Sequence, residues 1–268
     1  MKTVAILAVL TVLTVWGCSP SHRSRAEQLY GEAVDAFSAK KVGMAKALID
    51  SLKTYYADVP EVFREVRELG KVVSRYEIER TVAFLDSSLA TVENKQRELL
   101  QDMVRENEDG TVAVYIAKSQ QSWRAFSRCY IKARTDVNGF FTLTSNYVGE
   151  NPISHNRLMV KSGEEYLTMP IVNDGVGRNK FEKDEYVWET VRYEGQEAAD
   201  LAQFIAAHVT DRVAVDYRGE KSHYYTIMTD TDKEAVRKVW ELSGTYRESR
   251  KIRSMLRSAR VEMNRVGD

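Results

Sequence analysis

The stretch IERTVAFLDSSLATVENKQRELLQDM, residues Ile78 to Met103, decides how this chain is read. Ile78, Val82, Leu85, Leu89, Val92, Leu99 and Met103 follow a four-three spacing that only Gln96 interrupts. Apolar residues at that spacing line one face of a long helix, which must be buried against another helix. The charges around the stretch are lopsided: Glu77 to Asp109 carries nine acids against four bases, a net of −5. The last helical stretch, Tyr246 to Arg265, has seven bases against Glu248 and Glu262, a net of +5. Opposite biases of equal size predict that the two stretches pair as an antiparallel coiled coil. Docking of the basic helix on anionic lipid, or on an acidic partner, is the less favoured reading.

Between these helices the apolar period changes from helical to two. Tyr130 to Arg134 and Phe140 to Ser145 flank Asn138-Gly139, a pair that supplies the positive φ angles of a tight primed turn. A second hairpin is expected around Ser162-Gly163, joining His155–Val160 to Glu165–Met169. A third is expected around Arg218 to Lys221, joining Val213–Tyr217 to His223–Met228. Tyr186 to Tyr193 reads as a strand with Val187, Val191 and Tyr193 on one face. Gln196 to Val209 reads as a short helix with Ala198, Leu201, Ala202, Ile205 and Val209 inward. Asn173 to Asn179 is expected to be a loop and Ser122 to Phe126 a connector. Thr231 and Glu234 are spaced as a capping box for the final helix. Connections this short exclude parallel crossovers. The predicted fold class is therefore α+β: a long antiparallel helical or coiled-coil stalk with an inserted antiparallel β-rich module.

The amino terminus gives an address. Met1-Lys2 precedes a largely apolar run of thirteen residues, Val4 to Trp16, with the dimensions of a signal-peptide core rather than of a bilayer span. Gly17-Cys18 followed by Ser19-Pro20-Ser21 resembles the bacterial lipoprotein signal. That resemblance implies lipidation of Cys18 and membrane attachment through it. Ser19 after the Cys, with no acidic cluster beyond it, implies the outer membrane, facing the periplasm. An ordinary cleaved signal with an incidental Cys is the alternative. The expected organisation is 1–17 signal peptide, 18–25 tether, 26–110 helical domain, 111–228 β-rich module and 229–268 basic C-terminal helix. The helical domain is expected to run to Gly110, either as one long helix with a change of face near Tyr76 to Ile78 or as two helices with a kink there.

Two further resemblances concern architecture. Ala33, Ala45, Leu29, Ile49 and Leu52 sit as in one tetratricopeptide-type helix pair. Pro60 falls about three residues later than that repeat would place it, and no second copy follows, so a plain helical hairpin is expected. The signal, the paired helices, Ala45–Pro60, Thr142–Gly149 and Val215–Thr229 leading into the last helix together resemble envelope lipoproteins of the Bacteroidota type. This implies an address and an architecture rather than an activity.

The 268 residues carry 39 basic and 39 acidic side chains, so no global charge draws the chain to nucleic acid. With Cys18 lipidated, Cys129 has no internal disulfide partner and is expected to be a buried, inert thiol. No nucleophile elbow, metal-binding helix motif, phosphate loop or dinucleotide fingerprint occurs, and no cofactor is expected. His22, His155, His208 and His223 are scattered, and His208 is expected to be a satisfied core residue. The tyrosines and Trp188 of the β module are expected to be cross-strand packing pairs. The leading functional expectation is a non-enzymatic binding or assembly lipoprotein with an envelope partner. The alternative is a glycan-binding or hydrolytic protein with a site at His155, Asp174 and Trp188.

Overall fold

A computed structural model of the chain describes residues 21–106, 112–121, 128–172, 177–183 and 185–267. Cys18, Asp174 and the Ser122–Phe126 connector lie outside the described residues. The fold is α+β, with antiparallel sheets and a long helix. The chain divides into two compact units, one of Met1–Val82 with Ala259–Asp268 and one of Ala83–Ser258.

In the first unit, α1 (His22–Ser38) and α2 (Val42–Tyr55) form a hairpin. Ser21 caps α1 by accepting from the Ser24 backbone N–H at 3.1 Å. The cap starts the helix at His22, inside the stretch expected to be a tether. Lys40, at φ +61°, reverses the chain between the helices. Ala26, Ala33 and Ala36 of α1 and Ala45, Ile49 and Leu52 of α2 are buried in one cluster with Val62, Val66 and Val73. Small residues at these positions let the helices approach closely. The last three belong to α3 (Pro60–Leu100), a helix of 41 residues that passes Tyr76–Ile78 without a break.

The second unit is built on two sheets. The larger has strand order β1-β2-β3-β4-β8-β7 and the smaller β10-β9-β5-β6, with every pair antiparallel. The larger contains β1 (Met103–Glu106), β2 (Val114–Ala117), β3 (Tyr130–Asp136), β4 (Phe141–Gly149), β7 (Arg178–Lys183) and β8 (Tyr186–Glu194). The smaller contains β5 (Arg157–Ser162), β6 (Glu165–Thr168), β9 (Ala214–Arg218) and β10 (His223–Ile227). Helices α4 (Gly195–Ala207) and α5 (Asp230–Gly267) complete it. One core takes Leu143 and Val191 from the larger sheet, Leu158 and Val215 from the smaller, Leu201 and Ile205 from α4, and Val236 and Leu242 from α5.

Four sequence expectations need correction. The acidic helix does not run to Gly110: it stops at Leu100, and Met103–Glu106 pairs with β2 as a strand. The Asn138-Gly139 turn is not of the primed type, since only Gly139 has a positive φ, +78°. Asp136 Oδ1 instead accepts from the N–H groups of Asn138 and Phe140, both at 2.8 Å, and closes a longer loop. Arg178 and Asn179 belong to β7 rather than to a loop. The cap of α5 is Thr229 with Asp232, not Thr231 with Glu234: Thr229 Oγ1 accepts from the Asp232 N–H at 3.1 Å and donates to its carboxylate at 2.7 Å.

Within this unit α5 meets α3 through polar pairs. The Gln96 amide donates to Ser249 Oγ at 3.3 Å, both side chains being buried. Arg253 and Glu93 pair at 2.7 Å, and Lys95 and Glu241 at 3.7 Å. The interruption in the apolar spacing at Gln96 thus faces a matching hydroxyl.

Candidate functional site

Strand β8 alternates strictly, so Val187, Glu189, Val191 and Tyr193 point inward. Glu189 is a carboxylate at a core position, only 3% exposed. It is satisfied by the segment joining β4 to β5. Glu189 Oε1 accepts from the backbone N–H groups of Ile153 at 3.0 Å and Ser154 at 2.8 Å. Oε2 accepts from the His155 N–H at 2.7 Å and faces His155 Nδ1 at 3.3 Å. A buried carboxylate is tolerated only with such partners.

The next link is Ser145 of β4, whose Oγ lies 3.0 Å from His155 Nε2. A carboxylate only accepts, so the ring proton belongs on Nδ1 and Nε2 accepts from the serine hydroxyl. Burial holds His155 below its ordinary pKa, and its bond to Glu189 offsets this only in part, so the ring is neutral. Burial alone would raise Glu189. The bonds from the His155 ring and from the backbone of His155 and Ser154 outweigh it and hold the carboxyl below its ordinary value.

Ser145, His155 and Glu189 therefore stand in the order of a hydrolytic triad: hydroxyl to Nε2, Nδ1 to carboxylate. The setting is nevertheless closed. Ser145 is fully buried, lies in the middle of a strand paired on both sides, and also contacts the Val191 carbonyl at 3.3 Å. The backbone N–H groups of Ile153, Ser154 and His155 are all taken by Glu189 and that of Asn156 by the Arg218 carbonyl, which leaves none of these four to stabilise an oxyanion.

The segment that Glu189 holds is unusually constrained. Ser154 has φ +52°, a conformation rare outside glycine. Arg178 Nη2 donates to its carbonyl at 3.2 Å. Gly219 presses against the other side, where a Cβ would stand 1.9 Å from the Ile153 carbonyl oxygen. Tyr147 donates to the Asn151 carbonyl at 2.8 Å. The segment forms one wall of a polar cleft of about 620 Å³, whose other walls are Arg178–Lys180, Glu189-Thr190 and Glu220–Ser222.

Of the residues singled out in the sequence, His155 is the centre of this network and Asp174 lies outside the described residues. Trp188 is not brought to His155. It neighbours Glu189 on β8 but points to the other face, where its ring lies 5.5 Å from Phe181 and 6.1 Å from Tyr186. Ser145 and Glu189 were missed, although each is a polar residue in phase with an inward apolar face. His208 pairs with Asp211 at 3.0 Å and Glu165 at 3.3 Å, while exposed His223 pairs with Asp216 at 2.9 Å. His22 stacks on Tyr56 and contacts Asp58 at 3.0 Å. Cys129 is half-buried rather than buried: its Sγ donates to the Val148 carbonyl and accepts from the Val148 N–H, and burial raises its pKa.

The tyrosines divide. Tyr147 and Tyr217 are buried and pack on each other and on the exposed Tyr224, with Tyr147 and Tyr224 centroids 5.5 Å apart, whereas Tyr166, Tyr186 and Tyr225 are exposed away from this group. Among the described residues, no group of three or more His, Cys, Asp or Glu side chains could hold a metal ion, and no helix is long and apolar enough to cross a membrane. Set against protein-family models, curated proteins and solved structures, the chain gives no significant match in any of the three.

Proposed function

We propose that the chain is a lipid-anchored envelope protein of the outer membrane, facing the periplasm, and that its two-sheet unit acts as a non-enzymatic binding or assembly module. The observation that carries the non-enzymatic reading is Glu189. Its carboxylate is committed to three backbone N–H groups, so the histidine network serves to shape a loop. The outward faces add exposed aromatic side chains, including Phe181 and Tyr186, which suit contact with a partner. The lipoprotein-like Gly17-Cys18 supports the address. Cross-linking in native membranes followed by purification, with Cys18→Ala as the control, tests the reading. Recovery of a specific envelope protein that depends on Cys18 is expected. A chain found alone in the membrane fraction would overturn it.

One observation favours a second reading, that of a hydrolase: the contact order from Ser145 through His155 to Glu189. On that reading the β4–β5 segment would have to open to admit substrate. Labelling by a fluorophosphonate that is lost in Ser145→Ala would support it, and absence of labelling would remove it.

A further inference from the structure

The polar cleft beside the β4–β5 segment has features that packing alone does not require. A residue held in a sparsely populated backbone conformation by several independent contacts marks a place where geometry is fixed for a purpose. Ser154 is so held by Glu189, by Arg178 and by the close approach of Gly219 to Ile153. The wall it forms is therefore preorganised, which reduces the ordering cost of binding.

The lining defines the ligand's chemistry. Side chains of Asn156, Thr190 and Ser222 offer hydroxyl and amide groups, and more of the lining is polar than apolar. Among the charges, Lys180 is paired with Glu182 at 2.6 Å, Glu189 is spent on backbone N–H groups, Arg178 is engaged on the Ser154 carbonyl, and Glu220 is an exposed carboxylate beside Lys221 that can accept from ligand hydroxyls. Lys221 is exposed at the rim and forms no ion pair among the described residues, so it is the cation that a ligand can take up. The volume, about 620 Å³, suits a ligand of one or two sugar rings.

We infer that this cleft binds a small polyhydroxylated monoanion, a sugar acid in chemical class. Lys221 receives the carboxylate, and Asn156, Thr190 and Ser222 bond the hydroxyls. The cleft and the outward aromatic faces are different surfaces, so the inference does not rest on a protein partner.

The test is an NMR titration of the full-length protein in detergent micelles with glucuronate, glucose and acetate. Glucuronate is expected to shift the amides of Ser154, Thr190 and Ser222 in a saturable way. Glucose lacks the charge and acetate lacks the hydroxyls, so each is expected to bind about tenfold more weakly or less. Lys221→Ala is expected to weaken glucuronate by about tenfold without changing the melting temperature, since Lys221 is exposed and makes no ion pair among the described residues. No saturable shift at tens of millimolar glucuronate would overturn the inference. So would equal binding of glucose, or an unchanged affinity in Lys221→Ala. Loss of the cross-linked partner in the membrane experiment would leave this result untouched, so the two proposals fail separately.

Discussion

Glu189 holds His155 at two points, taking its backbone N–H at 2.7 Å and facing its ring Nδ1 at 3.3 Å through one carboxylate oxygen. A single side chain thereby fixes both the position of the histidine and its tautomer. The other oxygen accepts from the backbone N–H groups of Ile153 and of the strained Ser154 itself.

Removing that carboxylate strands buried donors. Glu189→Ala leaves three N–H groups without their acceptor, and a loss of about 3 kcal/mol or more is expected in urea denaturation. Glu189→Gln keeps the shape and one acceptor oxygen and should lose roughly half as much. A loss of less than about 0.5 kcal/mol in Glu189→Ala would show that the segment is held by other means.

Acid should weaken the two-sheet unit in two stages. His155 lies below its ordinary value of 6.5 when folded, so the unfolded chain takes up the proton first. Stability therefore begins to fall as pH drops through about 6.5 and levels off at the folded pKa. Glu189 also lies below its ordinary value of 4.5, so its contribution is present above that pH and is lost as pH falls through the folded value. His155→Gln should flatten the first stage and leave the second, as read from denaturation midpoints across the pH range.

Gly219 is required for space. An added Cβ would lie 1.9 Å from the Ile153 carbonyl oxygen, a backbone atom that the Glu189 bonds do not let move freely. Gly219→Ala should cost about 3 kcal/mol, within the range for strained core insertions. Gly163 offers the contrast: its φ is +56°, but a Cβ there would meet nothing within 4 Å, so Gly163→Ala should cost only about 1 kcal/mol. Comparable melting temperatures for the two variants would refute the steric argument.

Gln96 is a buried amide in an otherwise apolar face of α3. Its partner Ser249 also donates to the Tyr246 carbonyl at 3.0 Å, so Ser249 stays satisfied without it. Gln96→Leu should raise stability by about 1 kcal/mol. A decrease would mean that the Gln96–Ser249 bond is worth more than the burial of the added apolar surface.

Much of the architecture was legible because periodicity is set by burial. The four-three spacing from Ile78 located α3, and alternation located β3, β8 and β9 within a residue or two and the start of β4. The limits failed where local chemistry and pairing compete. Met103 continues the helical spacing, yet it pairs with Ala117 across β1 and β2, and no local cue outweighs that distant strand. The Asn-Gly pair suggested a primed turn, but Asp136 two residues earlier supplies an acceptor for the N–H groups of Asn138 and Phe140 and selects a longer loop.

The site was legible only in part. His155 stood out as a rare titratable side chain. Its partners did not, because Ser145 lies ten residues away and Glu189 thirty-four, and only strand pairing brings them together. The available clue was a phase error: a charge in step with Val187, Val191 and Tyr193. A buried glutamate at such a position must have donors waiting for it.

The loop between β3 and β4 is tied to residues made more than a hundred positions later. Ser243 and Arg247 donate to the Gly139 carbonyl at 3.0 and 3.1 Å, and Arg250 donates to that of Asn138 at 2.9 Å. Arg128 likewise closes on Asp232 at the start of α5. A chain delivered to its folding compartment amino terminus first would hold the β3–β4 ribbon without these contacts until α5 arrived. Such long-range closure slows folding and leaves strand edges open in the interim. Chains truncated before Ser243 should accumulate as aggregation-prone intermediates, which makes the carboxyl-terminal helix a checkpoint for completion of the whole unit.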